Sequence, residues 1–283
     1  MGDDQQVPSI YRSPGDERTV RAWCQQQLAG RRQSTLGSAL GETALVTVGS
    51  GTRTVVYLPG TTFNAATSLT VLDAFAAAGF HAVCADLPGQ PGLSSAVQAP
   101  DDAAYAGWIS DVLRHVRAQG PSEVRLVGHS RGAAVALSAD PELVDGLVVV
   151  SPAGLLDVRP TWAVLRATVP WMVRRSDRGS RGLVELMAGP GRYPEELVPW
   201  LTMAVRSSHP TGAPKRLPDD VLHRWRGHPV AVLVGADDCF FPATRITERA
   251  RADLGAAATV VPGAGHLLVD QAPEAVVRAL VGL

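Results

Sequence analysis

At 283 residues the chain is long enough for one large domain, or for a core carrying an inserted cap. Its formal net charge of −1 gives no electrostatic case for nucleic acid or for a membrane surface, and no apolar run reaches the length needed to cross a bilayer. Cys24, Cys84 and Cys239 are odd in number and far apart, so they imply neither a disulfide framework nor a zinc spacing. Met1-Gly2-Asp3-Asp4-Gln5-Gln6 is acidic and polar, unlike a signal peptide, which makes a cytoplasmic location the default expectation.

Residues 1–42 read as a polar lead-in with a short helix over 18–28, whose apolar contacts are Val20, Trp23 and Leu28. Two strands, 43–48 and 54–58, flank Gly49-Ser50-Gly51-Thr52, a joint suited to a hairpin. Leu58-Pro59-Gly60-Thr61-Thr62-Phe63-Asn64 follows, where a glycine after a buried strand lets backbone N–H groups face a cavity. A helix over 66–78 is closed by Gly79. The strand 81–86 ends in a Gly/Pro-rich loop, Asp86-Leu87-Pro88-Gly89-Gln90-Pro91-Gly92-Leu93-Ser94, and residues 102–119 form an amphipathic helix.

Next come Val124-Arg125-Leu126-Val127 and Gly128-His129-Ser130-Arg131-Gly132, running into an Ala-rich helix. A Gly-x-Ser-x-Gly placed between a strand and a helix pushes the serine hydroxyl out above the sheet edge. After a strand at 146–150 the strand–helix rhythm stops. From about 157 to 226 the chain is rich in arginine, broken by prolines (160, 170, 194, 199, 210, 214 and 218), and holds Trp162, Trp171, Trp200 and Trp225. This reads as a helical cap over residues 157–226, inserted into a core of 43–156 and 227–283. The rhythm returns with a strand at 229–234, a helix at 244–254, a strand at 258–261 and a last helix at 273–280. Alternating strands and helices imply an α/β fold with a doubly wound, mostly parallel sheet.

A serine is a poor nucleophile at neutral pH unless a base takes its proton, and the base needs a partner that fixes its tautomer. In a doubly wound sheet such groups gather at the carboxyl ends of the strands. Three strand ends carry them in chain order: Ser130, an acid after strand 229–234, and His266 after strand 258–261. The acid is Asp237 or Asp238, with Asp157 as a more distant candidate.

On these motifs the chain resembles the α/β-hydrolase fold superfamily from about residue 43 to its end. Pro59-Gly60-Thr61-Thr62 stands in the oxyanion-loop place, and Asp86 to Ser94 in the Asp-x-Pro-Gly-x-Gly-x-Ser place. Gly128 to Gly132 is the serine turn, and Gly235-Ala236-Asp237-Asp238 with Gly263-Ala264-Gly265-His266 completes the set. The family's Gly-x-x-Asp pattern selects Asp238. Pro59 stands where the family has a histidine, and Pro91 displaces a glycine. The resemblance implies Ser130, Asp238 and His266 as catalytic residues, with Thr61 and Arg131 as backbone oxyanion donors and no cofactor or metal. Thr62, Trp162, Trp171 and Trp200 are the expected substrate contacts. His129 reads as structural, and Asp86 as a carboxylate holding its own loop.

The expected reaction is hydrolysis of a carboxylic ester or thioester of a mostly apolar small molecule through an acyl-enzyme. Two other readings stand beside it: a lyase eliminating acetate from a polyketide-like substrate, and a ligand receptor with little chemistry. The cap arginines are expected to coat the surface more than to hold a substrate carboxylate.

Overall fold

The computed structural model describes residues 9–99, 102–158 and 161–283. Met1–Gln6, read above for a targeting signal, and Pro160 lie outside them. The chain opens with α1 (Pro14–Gln27), capped by Ser13, and then enters the sheet through β1 (Arg32–Ser38) and β2 (Gly41–Val48). It continues as β3 (Arg53–Leu58), α2 (Leu69–Ala77), β4 (Phe80–Ala85), α3 (Asp102–Arg117), β5 (Glu123–His129), α4 (Arg131–Leu137) and β6 (Gly146–Val150). Four helices then interrupt the alternation: α5 (Trp162–Arg174), α6 (Asp177–Ala188), α7 (Leu197–Ser207) and α8 (Asp219–His223). The core resumes with β7 (Val230–Gly235), α9 (Ala243–Arg249), β8 (Ala258–Val261), α10 (Leu268–Gln271) and α11 (Pro273–Val281).

Eight strands form one sheet in the order β1-β2-β4-β3-β5-β6-β7-β8. The six from β4 to β8 pair in parallel, while β1 and β2 are antiparallel additions at one edge. The central strands are buried on both faces, as a sheet covered by helices on either side requires. Val55, Tyr57, Val127 and Val148 point into the layer with α2 and α11, whereas Val56, Leu126 and Val149 point into the layer with α3 and α4.

The expected hairpin between 43–48 and 54–58 does not form. β2 pairs with β4 on one side and with β1 on the other, and β4 lies between β2 and β3. β3 is an interior strand that needs parallel partners on both edges, and β4 and β5 supply them. The true hairpin is β1–β2, with Ser38 opposite Gly41. β1 falls in the segment read as lead-in because its residues are mostly exposed and polar; an edge strand held by backbone hydrogen bonds leaves no apolar alternation in the sequence. Trp225, grouped with the cap by composition, is buried in the core, its indole N–H donating to the Leu137 carbonyl at 2.7 Å. Among the described residues no helix is long and apolar enough to cross a membrane.

Candidate active site

Ser130 sits at φ 52°, ψ −115°, in the turn between β5 and α4. A non-glycine residue with positive φ is strained, and the surrounding packing must hold it there. Here the two glycines of the motif do so. A Cβ on Gly132 would fall on the Leu58 carbonyl, and one on Gly128 would fall on the Gly132 carbonyl, so the turn closes only without side chains at these places. The Ser130 N–H donates to the Val150 carbonyl at 3.0 Å, which ties the turn to the end of β6.

Two further strand ends bring their groups to the same point. Ser130 Oγ lies 3.0 Å from Nε2 of His266, in the loop after β8. Nδ1 of His266 lies 3.0 and 3.2 Å from Oδ2 and Oδ1 of Asp238, in the loop after β7. Oδ1 of Asp238 also accepts the Phe240 and Phe241 N–H groups at 2.9 and 3.0 Å. Burial works against the charge on Asp238, but His266 and these two N–H groups outweigh it and hold the carboxyl below its ordinary range. Nδ1 of His266 therefore carries the proton it donates to Asp238, and Nε2 is left to accept from the serine. The neighbouring Asp237 is exposed, and Asp157 accepts the Arg216 N–H at 2.9 Å, so neither meets the imidazole.

The main chain around His266 is held by α6 and Gln271, which sequence reasoning did not single out, and by His129, which it read as structural. The His266 N–H donates to the Met187 carbonyl at the end of α6 at 2.7 Å. Gln271 accepts the Gly265 N–H and donates to the Ala188 carbonyl, both at 2.8 Å. His129, buried beneath the turn, donates from Nε2 to the His266 carbonyl at 2.8 Å. Burial, with His266 adding to it, pushes the His129 pKa down to about 3, so this ring is neutral at any working pH and its donor is fixed.

Thr62 has φ 70° and is gripped from both sides. Its N–H donates to Oε1 of Gln90 at 2.9 Å, and its carbonyl accepts the Trp200 indole N–H at 3.0 Å. Trp200 is buried and stacks on Trp23 of α1 with ring centroids 4.6 Å apart. The Arg131 side chain reaches the Thr61 hydroxyl at 3.2 Å and the Gly212 carbonyl, so it links the loop after β3 to the 209–218 segment. Asp86 accepts the Ala65 and Leu93 N–H groups at 2.7 and 3.1 Å; burial, only partly offset by these bonds, raises its pKa to about 6.

Above Ser130 and His266 lies a cavity of about 200 Å³. Phe63, Trp171, Leu183, Met187, Leu201, Phe240 and Phe241 make its wall apolar, with Gly60, Thr61 and Thr62 on the floor. No lysine, arginine, aspartate or glutamate lines it among the described residues. Of the four expected substrate contacts, Thr62 and Trp171 are on this wall. Trp162 is 83% exposed on the far side of α5, and Trp200 backs the Thr62 loop, so neither lines the cavity. Trp162 and Trp200 carry the same composition signal as Trp171; only the helix rotation separates them.

This arrangement of strand-end serine, imidazole and carboxylate on a mostly parallel sheet defines an α/β-hydrolase fold. The chain matches the alpha/beta hydrolase family over residues 55–279, and it belongs to that family. Among curated protein sequences no relative matches. Solved structures share the fold at low identity. A putative hydrolase from Bacillus subtilis has a TM-score of 0.80 at 17% identity, covering 95% of this chain and 99% of its own. The carboxylesterase CesB of Bacillus subtilis has a TM-score of 0.76 at 23% identity, covering 95% and 98%. The naproxen esterase of Bacillus subtilis has a TM-score of 0.78 at 16% identity, covering 97% and 99%.

Proposed function

We propose that the protein is a serine hydrolase that cleaves a carboxylic ester or thioester of an uncharged, mostly apolar small molecule. The observation that carries this reading is the unbroken hydrogen-bonded line from Ser130 Oγ through His266 to Asp238 at the base of an apolar cavity. Ser130 Oγ attacks the substrate carbonyl as its proton passes to Nε2 of His266. The negative charge on the former carbonyl oxygen meets the backbone N–H groups of Thr61 and Arg131, with the end of α4 contributing to the field. His266 returns the proton to the departing alcohol or thiol. Water, deprotonated by the same imidazole, then attacks the acyl-enzyme and frees the acid.

The cavity supports the substrate class. A carboxylate on the substrate would find no cation on the wall, and burying it unpaired is costly. CesB and the naproxen esterase, which share the fold, are carboxylesterases, which agrees with the reading without fixing the acyl or alcohol group.

A fluorophosphonate probe is expected to label Ser130 and no other serine, and the Ser130→Ala variant to lose both labelling and hydrolysis of a short p-nitrophenyl ester. Turnover in heavy-oxygen water should place one heavy oxygen in the released acid. Release of an alkene with no heavy oxygen in the acid would instead point to elimination, and the hydrolase reading would fail.

A further inference from the structure

Helix α5 has two faces of different character. Val164, Thr168 and Trp171 turn inward, Val164 buried and the other two on the cavity wall. Trp162, Arg166, Val169 and Val173 follow one another by four, three and four residues, which stacks them in a single stripe on the opposite face. Among the described residues nothing covers the stripe. Trp162 is 83% exposed, Val173 75% and Val169 51%, and Met172 beside them is 40% exposed. Among the described residues, four of the seven large apolar side chains left in solvent are on this one helix.

Arginines border the stripe. Residues 162–182 carry five arginines and a single carboxylate, Asp177. Arg166, Arg174 and Arg178 line a surface cavity of about 220 Å³ with Pro170, Ser176 and Gly179, and no acidic residue lines it. None of these three guanidinium groups has an ion-pair partner among the described residues. Arg181 is paired with Glu195 at 3.0 Å, so the near-zero charge of the whole chain conceals a basic face on which Arg166, Arg174 and Arg178 are left unneutralised.

We infer that the outer face of α5 is a docking surface for an anionic lipid bilayer. A helix lies in the plane of a membrane when one side offers aromatic and aliphatic groups and cations flank them. Trp162 suits the headgroup level, Val169 and Val173 suit the acyl boundary, and the arginine-lined cavity suits a lipid phosphate. A convex ridge of protruding side chains fits a deformable bilayer better than it fits a second protein, which would need a complementary groove. The helix that meets the membrane would be the helix that walls the substrate cavity, so an apolar ester dissolved in lipid would have a short path to Ser130. Docking stands apart from the proposed hydrolysis, because the Ser130→Ala protein should bind lipid as the wild type does.

The test is flotation of the full chain with vesicles. With equal parts phosphatidylglycerol and phosphatidylcholine the protein should float, the bound fraction should fall as salt is raised, and vesicles of phosphatidylcholine alone should hold far less. Replacing Arg166, Arg174 and Arg178 together by Gln should lower partition on the order of a hundredfold, from about fivefold per cation. Trp162→Ala should lower it about tenfold. Both variants should keep wild-type hydrolysis of a soluble ester, because these residues are outside the cavity; this also shows that they fold. Absence of flotation with the anionic vesicles would overturn the inference, as would variants that float like the wild type. Saturable binding to an acidic carrier protein, lost in the same variants and without any vesicle binding, would also overturn it in favour of a protein partner.

Discussion

The loops at the strand ends of the core and the helical insertion above them are built on opposite principles. At the strand ends the groups of the candidate site are buried or half-buried, and each is held by several contacts. Ser130 is held at positive φ by close backbone packing, Asp238 by two N–H groups and an imidazole, and Thr62 by a glutamine and an indole. The insertion is the reverse on its outer side: α5 leaves valines and a tryptophan in solvent, and its Arg166 and Arg174 have no ion-pair partner among the described residues. Rigid geometry suits the step in which bonds change, because misplacement of reacting groups costs rate steeply. An open face suits meeting something outside the molecule. The two regions join where the end of α6 accepts the His266 N–H, so the insertion is also part of what holds the proposed base.

The sharpest way to break this contrast is at the acid. Asp238→Asn removes the carboxylate that fixes the His266 tautomer, and kcat for a p-nitrophenyl ester should fall by about 10⁴-fold. The exposed neighbour provides the control: Asp237→Asn should leave kcat within a fewfold of wild type. If the two variants fell equally, position rather than sequence proximity would have been misjudged. Next in size is the serine turn. In Gly132→Ala the added methyl collides with the Leu58 carbonyl, which is main chain and cannot swing aside. A loss of stability on the order of 3 kcal/mol is expected in denaturant titrations.

What was legible in the sequence follows the same division. Ser130 and His266 stand out because the turns that present them impose local rules on neighbouring residues: a glycine on either side of the serine, and a short Gly-rich loop before the histidine. The acid was legible only as Asp237 or Asp238 until the family's Gly-x-x-Asp pattern selected Asp238. The parallel sheet was legible from buried apolar runs separated by helices. β1 was not, since an exposed edge strand needs no apolar pattern, and the supposed hairpin failed because strand order is a tertiary choice that adjacent sequence does not encode. The roles of Gln90 and Gln271 and the stacking of Trp23 on Trp200 were also invisible. Each acts through contacts that the fold, not the local pattern, brings together. Among the tryptophans, composition pointed to the insertion but not to which ring faces the cavity.

Acid stability distinguishes the buried floor of the site from its surface. His129 titrates near 6.5 in the unfolded chain and only near pH 3 when folded, since burial and His266 disfavour its charge. The unfolded state therefore binds more protons between those values, and the stability contributed above pH 6.5 is lost as pH falls toward 3. By pH 5 this single ring removes about 2 kcal/mol. His129→Gln keeps an N–H donor for the His266 carbonyl but has nothing to titrate. Its unfolding free energy should decline less than that of wild type between pH 7 and 5, by about that amount, as read by denaturant midpoints at the two pH values. Parallel curves for the two proteins would mean that the ring is charged, or hydrated, in the folded state.

The smallest effect probes how far the outer structure reaches into the chemistry. Trp200 does not touch the cavity, yet its indole N–H holds the Thr62 carbonyl while Trp23 of α1 stacks on its ring. Trp200→Phe keeps an aromatic ring for the stack and deletes the hydrogen bond, leaving a small void where the indole was wider. The Thr62 segment would then be free to relax from φ 70°, moving the adjacent Thr61 N–H, the proposed oxyanion donor, out of place. That interaction belongs to the transition state more than to the bound ester, so kcat should drop about tenfold with KM little changed. Trp23→Phe, which preserves both the stack and the hydrogen bond, should leave kcat alone. A rise in KM with constant kcat in Trp200→Phe would show instead that the indole shapes the cavity wall, and Thr62 would then be a substrate contact whose conformation owes nothing to the helices outside it.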